Sequence, residues 1–208
     1  MCPQDMNDME GRILEAAKRV FVRKGYEQTS MSDIANEVGI SRTALHYYFR
    51  TKQMLFEAIF GQLLHTLLPN IKKIVELKIS ILEKIPLIID EYSGVLCNNM
   101  LFPIFVVNEM NRDPEHLYQT ILKDPTLIQP LLQLKEQVED EMERGLLKRV
   151  VIIDVLCTII SNIVFPFLLR NPLSAIFLEN DQERFEQYVK ERTPFVKNLA
   201  NLLLAPSN

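Results

Sequence analysis

The sequence predicts an all-α protein: an N-terminal three-helix head followed by a larger helical domain. Three observations predict it. Apolar residues recur at helical spacing through most of the 208 residues, beginning with Ile13, Ala17, Val20 and Phe21. Eleven Pro against six Gly argue against a glycine-rich β architecture. And the stretch from Thr29 to Lys52 has the layout of two short helices joined by a tight turn. A chain that is 48% hydrophobic and 24% charged is ordinary for a folded, water-soluble protein, and its length suffices for one or two domains.

The elements follow in order. The polar segment Met1–Asp8 is expected to be frayed, with a first helix from about Met9 to Lys24 that Gly25 ends. Ser30 can cap the next helix, and Asp33, three residues on, can return the bond. Ile34, Ala35 and Val38 form one apolar stripe, and Gly39 accepts the positive φ that a sharp helix end requires. Ile40 returns to the core. Ser41 caps a second short helix, Arg42–Tyr48, whose inward residues are Leu45, Tyr48 and Phe49. Phe21 is expected to pack on Ile34 and Leu45, and Tyr26 to pin the loop before Ser30.

The outward set has the chemistry for DNA. Arg42 can fork onto guanine O6 and N7 or onto a phosphate, and Thr43 and Ala44 are small enough to meet a thymine methyl. Tyr47, Arg50, Thr51 and Lys52 offer donors to phosphate, and Ser30, Ser41 and His46 complete the candidate DNA-binding set. Between Gly39 and Phe56 there is no Asp or Glu. The net charge of −4 speaks against indiscriminate nucleic-acid binding, but the charge is uneven: residues 1–55 carry eight Lys and Arg against seven Asp and Glu, so the acid is shifted to the rest of the chain.

These residues also carry a resemblance. The blocks Phe21-Val22-Arg23-Lys24-Gly25-Tyr26, Thr29-Ser30-Met31-Ser32-Asp33-Ile34-Ala35, Val38-Gly39-Ile40-Ser41 and Leu45-His46-Tyr47-Tyr48-Phe49 with Lys52 resemble the DNA-binding domain of the TetR family of bacterial transcriptional regulators. The resemblance covers about residues 9–60. It implies an all-α homodimer, a variable C-terminal domain that binds a small effector, and usually repression. It also implies a phosphate contact from the residue after Leu45, where the family usually has Tyr and this chain has His46.

The rest of the chain, beyond a boundary at 50/51, is the second domain, 51–208. Thr51 caps a long helix with Leu55, Phe56, Ile59, Phe60, Leu63, Leu64, Leu67 and Leu68 on a broad apolar face; Pro69 kinks or ends it. Asn70–Asn99 is helical and interrupted at Pro86. Leu101–Met110 admits a strand, but no partner strand exists elsewhere, so a buried helix from Pro103 is preferred. Asn111–Pro114 is a loop, Glu115–Lys123 a short helix, and Thr126–Arg144 a long amphipathic helix with Leu127, Leu131, Leu134, Val138 and Met142 inward, ended by Gly145. Lys148–Ile153 reads as extended linker. Asp154 then caps a helix to Leu169 that is apolar on nearly all faces and stops at Asn171-Pro172. The 20 residues Val150–Leu169 match the length of a membrane span, but Asp154, Asn162 and Pro166 argue for burial at a subunit interface instead. Asn180 with Glu183 opens the last helix, which Pro194 breaks so that Thr193 caps a second segment. The homodimer is expected to form through about 154–169 and 182–203.

The effector site is read from an apolar cluster with polar groups inside it: Phe60, Leu64, Tyr92, Met100, Phe105, Asn108, Glu109, Asn162 and Phe165. Glu109 is costly in such a run unless paired, and Arg112 stands three residues on. No cofactor or metal is implied: the glycines are too scattered for a phosphate loop, HExxH is absent, and the three His lack partners at ligand spacing. Nothing points to an enzyme. Cys2, Cys97 and Cys157 form no CxxC, which fits a reducing cytoplasm with Cys97 and Cys157 as small core residues, and no signal peptide is visible. The competing reading is a helical scaffold protein whose hairpin binds protein; the acid-free window favours DNA.

Overall fold

The computed structural model describes residues 3–115 and 125–206. The described residues form ten helices: α1 Pro3–Lys24, α2 Met31–Val38, α3 Arg42–Tyr48, α4 Lys52–Val75, α5 Ile81–Asn98, α6 Phe102–Arg112, α7 Pro125–Glu143, α8 Ile152–Leu168, α9 Arg170–Phe177 and α10 Gln182–Leu204. They gather into two compact units. One takes the described residues of Met1–His65 and Ile104–Leu117, the other those of Thr66–Pro103 and Tyr118–Asn208. The division at 50/51 drawn from the sequence falls inside the first unit.

In the first unit, Ile13, Val20, Ile34, Leu45, Leu55 and Ile59 are wholly buried. Phe21 finds its ring partners in Tyr26 at 5.5 Å, Phe105 at 6.2 Å and Phe56 at 6.3 Å. Phe56 and Phe105 stack at 4.6 Å, which is how α6 joins a head that the sequence assigned to its first fifty residues. The first helix starts at Pro3, earlier than the polar Met1–Asp8 segment suggests: proline in a first turn surrenders no intrahelical bond.

The second unit is built on α10, which packs against α5 and α8, with α7 against α5 and α9 beside α8 and α10. Ile81, Ile89, Leu96, Phe167 and Phe185 are its most deeply buried side chains. A polar network runs through this core. The Lys84 ammonium, 3% exposed, donates to the Val75 carbonyl at 2.5 Å and to Gln137 Oε1 at 2.6 Å. Gln137 Nε2 donates to Glu141 at 2.7 Å and to the Ile79 carbonyl at 2.9 Å. Glu141, 5% exposed, accepts the Ile81 N–H on both carboxylate oxygens at 3.1 Å. One carboxylate therefore satisfies a donor of the first turn of α5 and faces its positive end. Both Ser80 donors, hydroxyl and backbone, go to Glu83, the other half of that helix start. Burial pushes the Lys84 ammonium below the ordinary lysine range, and nearby Glu141 opposes the shift.

Several boundaries differ from the sequence reading, mostly at proline. α4 runs through Pro69, α5 through Pro86 and α10 through Pro194, where Thr193 caps nothing and donates back to Val189. A turn at 76–80, not Pro86, separates α4 from α5. The apolar 101–110 run is helical, as preferred, and continues to Arg112, which shortens the expected loop. The expected helix Glu115–Lys123 lies, but for Glu115, outside the described residues. α8 starts at Ile152, so Asp154 sits in its first turn and Val151 takes the cap position. It ends at Leu168, and Pro172 falls in the first turn of α9, bent 67° from α8. Asp181, not Asn180, caps α10, accepting from Glu183 N at 2.8 Å and Arg184 N at 3.3 Å. Glu179 and Asn180 take positive φ in the turn before it. Leu131 is 53% exposed and not inward, and Cys157 is exposed on the outward side of α8, whereas Cys97 is half-buried with its thiol pushed up by burial. No single described helix is long and apolar enough to cross a membrane.

Candidate nucleic-acid interface

The face is built by three local devices. The first is the start of α2: Asp33 N–H donates to Ser30 Oγ at 3.1 Å, and Ser30 N–H returns to Asp33 Oδ2 at 2.9 Å. The second is the turn. Gly39 adopts φ 81°, its N–H reaches the Asn36 carbonyl at 3.2 Å, and Ile40 N–H reaches the Ala35 carbonyl at 3.0 Å. That pair of bonds closes a Schellman motif, which satisfies the last carbonyls of α2 and reverses the chain. The third is Ser41, whose Oγ accepts from Ala44 N–H at 3.1 Å to start α3.

On α3 the inward side is Leu45, wholly buried, followed by Phe49. Arg42 and Thr43 are exposed, Ala44 is half-buried, and Tyr47 is 73% exposed with its ring edge-on to Tyr48 at 5.4 Å. Arg50 is exposed just beyond the helix end. His46 has both ring nitrogens engaged: Arg42 Nε donates to Nε2 at 3.2 Å, and Nδ1 faces the Arg50 carbonyl at 3.1 Å.

Electrostatics sharpen the face. The α2 carboxylates are drawn toward α1. Asp33 meets Lys24 at 2.6 Å, and Glu37 meets Arg23 at 2.9 Å and Arg19 at 3.2 Å. Lys24 and then Ser30 hold the Asp33 carboxyl far below the usual carboxylate range; Arg23 and then Arg19 lower Glu37. Cations of α1 thus compensate both acids of α2, and α3 contributes none.

Ser30 and Lys52, like His46, have other engagements. Ser30 is committed to its cap and also donates its hydroxyl to Asp33 at 2.7 Å. Lys52, expected at phosphate, donates to the Tyr26 carbonyl at 2.6 Å and the Glu27 carbonyl at 3.3 Å, with its ammonium 4.2 Å from the centre of the Tyr26 ring. It ties α4 to the loop after α1. Tyr26 pins that loop as expected, its hydroxyl donating to Gln53 at 2.8 Å. Arg112 of α6 covers the same ring at 4.1 Å and meets Glu27 at 3.6 Å. Spacing could not reveal that partnership, because 86 positions separate Tyr26 from Arg112.

The predicted effector residues divide. Phe105 and Asn108 line an open groove of about 510 Å³ in the first unit, floored by Phe21, Tyr26 and Phe56. Phe60 is buried in the same unit. Tyr92, Met100, Asn162 and Phe165 belong to the second. There Asn162 is a strut: its Oδ1 and carbonyl accept from Arg192 at 3.0 and 3.2 Å. Phe165 is 57% exposed, on the outward side of α8, and burial raises the Tyr92 phenol above its ordinary value. The side chains of Leu64 and Glu109 lie outside the described residues, and with them the expected Glu109–Arg112 pair.

Comparison with known proteins agrees with this geometry. Residues 13–59 match the domain described as bacterial regulatory proteins, tetR family. The chain is 46% identical over 50 residues to the uncharacterized HTH-type transcriptional regulator YfiR of Bacillus subtilis (strain 168), a stretch covering 24% of each protein. It is 37% identical over 49 residues to the biofilm operon icaADBC HTH-type negative transcriptional regulator IcaR of Staphylococcus aureus (strain Newman), covering 24% of this chain and 26% of IcaR. The chain thus spans about a quarter of the length of these relatives. The crystal structure of PfmR, a TetR family transcriptional regulator from Thermus thermophilus, has a similar fold: the TM-score is 0.62 at 22% identity, over 90% of this chain and 97% of that one. Residues 13–59 thus carry a domain of the tetR family of bacterial regulatory proteins, on a chain whose fold is similar to that of a TetR family regulator along most of its length.

Proposed function

We propose that the protein is a DNA-binding transcriptional repressor acting in the cytoplasm, which grips a pseudo-palindromic operator as a homodimer and is released by a small apolar or amphipathic effector. The observation that carries the reading is α3 itself: a Ser41-capped helix with Arg42, Thr43 and Tyr47 outward and no acid from Gly39 to Phe56. Arg42 reads a base edge, Thr43 and Ala44 read thymine methyls, and Tyr47 and Arg50 hold phosphate. Repression is supported by the likeness to IcaR, a negative regulator. The test is selection from a random duplex library followed by Arg42→Ala. The substitution costs about 1–3 kcal/mol on the selected duplex and relaxes one position per half-site. Equal losses on selected and random DNA restrict Arg42 to phosphate.

The dimer is supported by two exposed apolar stripes, Ile153, Leu156 and Ile160 on α8 and Phe195 and Leu202 on α10. Sedimentation at micromolar concentration gives a dimer; a monomer overturns it. Two-fold symmetry sets half-site centres one helical turn or a multiple apart. Release is supported by the continuity of α4, whose 24 residues run from Lys52 to Val75. An effector packed against this helix shifts it, and it acts only through its differential affinity for the two states. Operator DNA then weakens effector binding by the same factor, on the scale of about 1–3 kcal/mol. Identical effector affinities with and without operator exclude the mechanism.

A further inference from the structure

We propose that His46 is a positioning residue for Arg42: as the Nδ1–H tautomer it holds the guanidinium by its Nε, so that only the terminal Nη pair is presented for base reading. The tautomer follows from the partners. Arginine has donors only, so the His46 Nε2 that receives Arg42 Nε–H at 3.2 Å offers a lone pair. The ring proton is then on Nδ1, where the Arg50 carbonyl, 3.1 Å away, accepts it. That carbonyl lies past the last residue of α3, so the imidazole is a strut between the helix exit and a side chain one turn back.

The consequence concerns how a base is read. A guanidinium addresses guanine O6 and N7 end-on, through its two Nη groups, or side-on, through Nε and one Nη. With Nε–H spent on His46, the side-on approach is closed and the end-on approach is pre-organised. Both imidazole nitrogens are occupied, so His46 has no N–H left for phosphate, which is the task the resemblance implies for this position. This inference rests on the DNA-binding reading for its functional part. Its tautomer part does not.

Two amide variants separate the ring nitrogens. In His46→Gln the amide reaches the Nε2 position and accepts from Arg42. In His46→Asn it reaches only the Nδ1 position and serves the Arg50 carbonyl alone. Binding is measured on the duplex that the wild type selects from a random library and on duplexes altered at the position that Arg42→Ala relaxes. His46→Gln keeps the base preference within about twofold. His46→Asn loses about tenfold of it, with affinity for random duplex unchanged, and loses nothing further in an Arg42→Ala background. Equal losses in the two variants, or a full preference in His46→Asn, overturn the proposal. So does imidazole ¹⁵N NMR of the free protein, melting as wild type, if it finds the proton on Nε2. A wild type that selects no duplex removes the DNA reading and this use of His46 together; a wild type that selects one while His46→Asn keeps its preference removes only the latter.

Discussion

Replacing Glu141 by Ala should be among the more damaging single changes in the second unit. Its carboxylate is 5% exposed and accepts three hydrogen bonds, two to its separate oxygens from Ile81 N–H and one from Gln137 Nε2. Truncation leaves the Ile81 N–H buried without a partner, which costs about 1–3 kcal/mol. Gln137 keeps its bond to the Ile79 carbonyl, so its loss is about 1 kcal/mol. The Lys84 ammonium, itself 3% exposed, loses its nearby negative charge. Together these place the loss at about 3–5 kcal/mol. Urea unfolding at fixed protein concentration reads it, and for a chain of this size the melting temperature falls by roughly 6–20 °C. Lys84→Met removes the uncompensated charge, so the double variant recovers at least about 1 kcal/mol relative to additivity. A Glu141→Ala midpoint within about 0.5 kcal/mol of wild type, or strictly additive losses, would refute the reasoning.

Other outcomes follow from the head. Gly39→Ala meets no atom within 4 Å of the new Cβ, so its cost is the φ of 81° alone, about 1–2 kcal/mol in chemical unfolding. Ser30→Ala deletes the α2 cap and costs about 1 kcal/mol, read the same way; an unchanged midpoint would mean the cap is dispensable. Folding holds the Asp33 and Glu37 carboxyls below their ordinary values of 3.8 and 4.5. As pH falls past those values the unfolded chain takes up protons first, so their stabilisation, complete above about pH 5, is lost progressively in acid. Asp33→Asn should flatten that acid limb in a series of melts. Lys52→Met should lower stability by about 1–2 kcal/mol through the Tyr26 loop and leave the salt dependence of DNA binding nearly unchanged. A slope reduced by about one would return Lys52 to phosphate.

What was legible in the sequence was what is local. The Ser30–Asp33 cap, the Gly39 turn and the Ser41 cap each close within a few residues, so spacing alone identifies them. The Lys84–Gln137–Glu141 network closes across 53 and 60 positions, beyond the reach of any periodicity. The Ser80–Glu83 helix start is equally local, but Pro86 is the stronger boundary signal in this stretch. Hydrophobicity places Phe165 and Cys157 inward, because it reports that a residue avoids water, not which surface covers it. On α3, the sequence supplied a set of polar residues facing outward. That Arg42 spends a donor on His46 is a matter of rotamers, which spacing does not specify.

The prolines that misled the boundaries have a consequence for how this protein comes apart. Pro69, Pro86, Pro130, Pro166 and Pro194 sit inside α4, α5, α7, α8 and α10. Each removes one backbone bond and disfavours its helix by roughly 3 kcal/mol relative to alanine. A peptide cut from any of these five would have little helix of its own, since isolated helices of such length are marginal even without proline. Their helicity is therefore on loan from their neighbours. Heating should find no stage at which the packing of Phe167 on Phe185 has dissolved while α8 and α10 persist: the aromatic near-ultraviolet signal and the far-ultraviolet helical signal of the second unit should vanish in one transition.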